Sequence, residues 1–195
     1  VSSDLTTLRL FGSGVCLLLL YAISTKSNIF APFKDFRNLR DVVVYGIGVL
    51  LIQWTFFKAI SVSNAGTAAI MVGFGPFFII FYFVLTKGRK PSLKEIICLA
   101  LALVGVFLLV SKGNFQIFDL SWAGVLWGLA SAAFGAFCTV QPKQLIERAG
   151  VSFVVGWGML IGGLIAMCFT SPFNDNAQWT IPAILAYAQI VLFGT

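Results

Sequence analysis

Apolar and polar positions along this chain fall into long blocks rather than short alternations. Seven apolar stretches, at about residues 5–23, 42–60, 65–85, 93–110, 121–140, 151–170 and 181–195, are separated by short polar or basic breaks. A barrel strand would show a two-residue alternation over about ten residues, and these stretches do not. With a rise of about 1.5 Å per residue, a helix over each of the middle five comes close to crossing a hydrocarbon core of about 30 Å. The pattern therefore predicts an all-α membrane protein, a polytopic helical bundle, since only helices and closed barrels satisfy every backbone polar group in lipid. The last stretch stops at Thr195 without a polar flank, and the chain opens on Val1 with no signal-peptide pattern. The expectation is a fragment of a longer bundle.

Local chemistry sets several boundaries. Ser92-Leu93-Lys94-Glu95 directly follows Pro91 and has the capping-box pattern that starts a helix. Ser63-Asn64 leaves a link so short that the stretches on either side must form an antiparallel hairpin. Ser152 and Asp119 are candidate N-caps for two further helices. Gly75-Pro76 lies inside the third stretch, where the proline removes an amide donor and crowds the carbonyl of Val72, so a kink is expected. Transporter helices broken at mid-depth commonly line a substrate path.

Composition narrows the class. Hydrophobic residues make up 59% of the 195 and charged residues 10%, against about 45–50% and 25% for soluble domains. Too few polar side chains exist to cover a water-soluble surface. The net charge of +6 would suggest nucleic acid in a soluble protein; in a membrane protein it reads as cytoplasmic loops, and no nucleic-acid partner is expected. Lys26, Lys34, Arg37, Arg40, Lys87, Arg89, Lys90, Lys94, Lys143 and Arg148 fall in loops 24–41, 86–95 and 141–150, while only Arg9, Lys58 and Lys112 fall on the other side. This alternation places those three loops in the cytoplasm of a multi-pass cell-membrane protein, with a bacterial inner membrane the natural setting. Trp122 and Trp179 then lie at the outer interface.

The sequence holds no His, and Cys16, Cys98, Cys138 and Cys168 lie apart within apolar stretches. No metal site and no cofactor are expected. A P-loop is absent, and Asp4, Asp35, Asp41, Glu95, Asp119, Glu147 and Asp175 all sit in loops or at helix ends. Neither an enzyme nor a buried carboxylate relay is expected from such a set. A membrane-embedded enzyme or a non-transporting assembly subunit is the alternative, and the enzyme would need a charged cluster at a cavity that the loops do not offer.

What remains within the stretches is small residues, amides and aromatics. Gly124, Gly128, Ala132 and Ala136 recur at four-residue spacing, as do Ala65, Ala69 and Gly73, and Gly158 with Gly162. In lipid, such stripes let helix backbones approach closely, and packing a bundle is their ordinary role. Gln53 and Trp54 in the second stretch and Trp127 in the fifth have similar depths in the outer half, so an amide and two indoles converge there as a candidate solute site. Tyr45 and Trp157, nearer the cytoplasmic end, are further candidates. An amide in hydrocarbon is costly unless it bonds something, whether a neighbouring helix or a solute.

The order of these features resembles a known family. Ala59-Ile60, Ser63-Asn64-Ala65-Gly66-Thr67-Ala68-Ala69 and Gly75-Pro76 with the run to Leu85 are similar to EamA-type proteins of the drug/metabolite transporter superfamily. Pro91–Glu95 with the run Leu101 to Val110, the run Gly124 to Ala136, and Arg9 add to the resemblance. It implies ten helices in two inverted five-helix repeats with both ends cytoplasmic, about seven of them present here. Residues 1–110 would be the first repeat without its first helix, and 119–195 the second, truncated in its third. Thr86-Lys87-Gly88-Arg89-Lys90 stands where many members carry a glutamate, a departure in that loop's salt-bridge pattern. The implied activity is secondary transport of a small organic metabolite by alternating access, outward, with the bilayer and a small solute as partners. A homodimer is compatible with the pattern.

Overall fold

The computed structural model describes residues 2–25, 35–88, 90–111 and 121–169. They form helices α1 (Ser2–Thr25), α2 (Phe36–Val62), α3 (Ala65–Val72), α4 (Gly75–Lys87), α5 (Leu93–Ser111), α6 (Trp122–Val140), α7 (Lys143–Ala149) and α8 (Val151–Phe169). No strand occurs among the described residues. Phe36–Val62, Ala65–Lys87, Trp122–Val140 and Val151–Cys168 are long and apolar enough to cross a membrane, and Arg9–Ile23 is a shorter apolar helix. The protein is an all-α polytopic membrane bundle. The expected helix at 181–195, Asp119 and Trp179 lie outside the described residues.

Two boundaries differ from expectation. The basic segment 141–150 contains α7, because Leu145 is buried and Ile146 and Ala149 pack against apolar neighbours, giving this short stretch an inward face. Ser152 is not a cap, since α8 already begins at Val151 behind Gly150, whose φ is +85°. Ser121 caps α6 instead: its Oγ accepts from the Gly124 N–H at 3.0 Å. The Glu95 half of the capping box is present, with its carboxylate accepting from the Ser92 N–H at 3.0 Å.

The described helices pack as two compact units, one drawn from residues up to 50 and from 141 onward, the other from 51–140. This division by packing differs from the repeats at 1–110 and 119–195 that the resemblance implies, which concern symmetry. In the first unit α1 lies along α8. A Cβ on Gly14 would stand 2.6 Å from the Leu160 nitrogen, and one on Gly163 2.8 Å from the Phe11 nitrogen, so the two backbones meet directly. The start of α2 crosses α8 in the same way: a Cβ on Gly162 would lie 2.9 Å from the Gly46 carbonyl oxygen. Val42, Leu145, Phe153 and Val154 form the buried cluster of this unit.

In the second unit the end of α2 runs antiparallel to α6. Ser121 Oγ donates to the Val62 carbonyl at 2.8 Å, joining the end of α2 to the start of α6, and Ser131 Oγ donates to the Ile52 carbonyl at 3.1 Å, joining their interiors. Each bond satisfies a hydroxyl that lipid would leave unpaired. Gly124 sits against Ser63, and a Cβ on Gly128 would come 2.5 Å from Met71 Cβ, so these two glycines seat α3 and its leading loop on α6. Ala132 and Ala136 on the same stripe are buried too. By contrast α4 has no buried residue, and Phe81, Leu85, Leu101 and Leu108 of α4 and α5 are exposed. Water would not tolerate so much uncovered apolar surface in one place; lipid does.

Candidate functional site

The aromatic candidates of α2 and α6 meet. Trp54 and Trp127 lie with ring centroids 5.5 Å apart at an interplanar angle of 79°, an edge-to-face pair. Their meeting follows from the antiparallel register just described. Trp54 is roughly 12 Å from the C-terminal end of α2 and Trp127 roughly 8 Å from the N-terminal end of α6, on helices that run in opposite directions. Trp54 remains 58% exposed, so much of its indole is uncovered beside its partner.

Gln53 precedes Trp54 on α2 and is half-buried, and its carboxamide has no hydrogen-bond partner among the described residues. Its two donors and its acceptor are therefore open to a solute or water. The neighbouring hydroxyls are already used: Thr55 Oγ1 donates to the Leu51 carbonyl at 2.6 Å, and Ser131 Oγ donates to Ile52. No charged side chain belongs to this group. It offers two indole surfaces, indole N–H donors and one amide, which suits a solute with an apolar body and a hydrogen-bonding head.

Tyr45 and Trp157 stand in the other unit. The Tyr45 ring lies against the backbone of Gly158, filling the space a Cβ would take, and both residues pack on the Val42–Phe153–Val154 cluster. Tyr21 joins them through a tilted ring contact with Phe153 at 5.8 Å. Beside this cluster, Gln141 Nε2 donates to the Asp41 carbonyl at 3.2 Å, while its Oε1 is buried without a partner. Nothing in the sequence singles out Gln141, because an amide beside Pro142 at a helix end reads as an ordinary turn.

The expected kink takes the form of a break. The span Ala65–Lys87 is interrupted at Gly73-Phe74, where the Phe74 N–H donates to the Met71 carbonyl at 3.1 Å in a tightened turn, and α4 restarts at Gly75. Pro76 sits in the first turn of α4, where a missing N–H costs nothing. Just upstream, Thr67 is 2% exposed and its Oγ1 has no partner.

Residues 2–111 match the EamA-like transporter family. A protein of Salmonella typhimurium named "Uncharacterized inner membrane transporter YicL" is 33% identical over 195 residues, covering 100% of this chain and 65% of its own length. The chain thus spans about two thirds of that relative. No solved structure matches it.

Proposed function

The chain belongs to the EamA-like transporter family, and on that premise we propose that it is part of a secondary transporter. It moves a small organic metabolite, amino acid-like or otherwise amphipathic, across the cytoplasmic membrane by alternating access, and export is the direction put to test. The observation that carries this reading is the Trp54–Trp127 pair next to Gln53, whose carboxamide is unpartnered among the described residues, in a multi-pass bundle. Indole surfaces take the apolar body of the solute and Gln53 its polar head, each contact replacing one that the solute made with water.

Tyr45 and Trp157 act as supporting contacts toward the cytoplasmic end, and the interruption before Gly75 and Pro76 is the flexing point of the third span. The close glycine contacts at Gly124, Gly128, Gly158 and Gly162 supply the surfaces on which the helices bear. The basic segments 24–41, 86–95 and 141–150 face the cytoplasm in this reading. In this reading it is a carrier rather than an enzyme, which the match to a transporter family supports.

The test uses the full-length protein in sealed vesicles and a panel of radiolabelled amphipathic metabolites. For a solute that exchanges, Gln53→Ala and Trp127→Ala each lower transport efficiency roughly tenfold, the size of one lost hydrogen bond or aromatic contact. Unchanged transport and affinity in both variants would remove the site assignment.

A further inference from the structure

A second feature lies at the polar end of the α4–α5 hairpin, away from the aromatic pair. Ile79, Ile80, Phe83 and Val84 of α4, with Pro91 and Glu95, line a cavity of about 150 Å³. An apolar cavity of that size accepts a benzene-sized group. Ile79, Ile80, Phe83 and Val84 are half-buried, and the slot they line opens beside Phe77, Phe81, Tyr82 and Leu85, the exposed apolar face of α4. Lys87 ends the span Ala65–Lys87, so the cavity lies at headgroup level.

Charge gathers at the same place. Lys87, Lys90 and Lys94 are all exposed, and the Lys87 ammonium stands 5.3 Å from the centroid of the Phe83 ring that forms part of the wall. Against these three cations stands Glu95, whose carboxylate accepts from the Ser92 N–H. An apolar slot at the end of a span, with the Lys87 ammonium against its wall and Lys90 and Lys94 next in sequence to its lining residues Pro91 and Glu95, matches a molecule that has a hydrocarbon tail and an anionic head. A free water-soluble anion would leave the slot unused, and a zwitterionic lipid would leave the lysines uncompensated.

We propose that this end of the hairpin binds an anionic phospholipid, with its phosphate on Lys87, Lys90 and Lys94 and part of an acyl chain in the slot. Juxtamembrane basic clusters attract anionic leaflets through the same charges. The proposal requires only that α4 lies in lipid and does not depend on the transport reading.

Native mass spectrometry of the full-length protein, released from micelles holding equal phosphatidylglycerol and phosphatidylethanolamine, reads it out. The wild type retains phosphatidylglycerol in preference. Lys87→Ala/Lys90→Ala/Lys94→Ala lowers that retention at least about tenfold, while Lys87→Arg/Lys90→Arg/Lys94→Arg and Lys143→Ala, in the other unit, keep it. Ile80→Trp, which fills the slot, lowers retention without changing charge. Equal retention of both lipids by the wild type, or wild-type retention in the triple alanine variant or in Ile80→Trp, overturns the proposal. If the triple alanine variant does not fold, the arginine variant and Ile80→Trp carry the test, and loss of preference in the arginine variant also overturns it.

Discussion

A single methyl group is the finest probe of how these helices meet. At Gly14 it would strike the backbone of Leu160, which cannot rotate away, whereas at Gly135 it would meet nothing within 4 Å. Gly14→Ala is therefore expected to destabilise the protein by about 1–3 kcal/mol. Gly135→Ala should be neutral or stabilising by up to about 1 kcal/mol through helix propensity alone. Thermal unfolding of both variants in detergent checks the contrast, and equal midpoints would contradict the close approach of α1 and α8. At this scale the sequence was only partly legible. The four-residue spacing exposed Gly124, Gly128, Gly158 and Gly162 as contact residues, but Gly14, Gly46 and Gly163 carry no such spacing. Their role depends on the register of a partner helix, which one chain does not spell out. Trp54 and Trp127 were legible as a pair because equal depth on antiparallel helices is readable from length; that Ser131 bonds Ile52 beside them was not.

Elements were read more securely than contacts. Five apolar stretches became one helix each because length and hydropathy alone decide a span in lipid. Helix α7 was missed because only a few apolar residues hold it, too few for a periodic signal. The third stretch was read as kinked at Pro76, and the break falls two residues earlier at Gly73-Phe74, since a proline is better accommodated in a first turn than mid-helix. The start of α3 rests on Asn64, whose Oδ1 accepts from the Thr67 N–H at 2.7 Å. Asn64→Ala should cost about 1 kcal/mol in thermal or denaturant unfolding, and Asn64→Ser should recover most of it. No loss on Asn64→Ala would mean that the α2–α3 link is held by packing alone.

Over the whole molecule, ten of the thirteen Lys and Arg fall in segments 24–41, 86–95 and 141–150. That asymmetry predicts topology. In a cysteine-free background, Lys90→Cys should react with a membrane-impermeant thiol reagent only after cells are opened or membranes inverted; labelling from outside intact cells would reverse the orientation. The chain belongs to a transporter family, and the proposal that Gln53, Trp54 and Trp127 receive a solute is tested on the whole protein. The decisive measurement follows a labelled amphipathic metabolite across proteoliposomes containing the full-length protein, with chemical analysis of what arrives. The account predicts protein-dependent, saturable accumulation of the unaltered solute, inhibited by its own unlabelled form. A solute that arrives chemically changed, or a flux no greater than in protein-free vesicles across the panel, would contradict it.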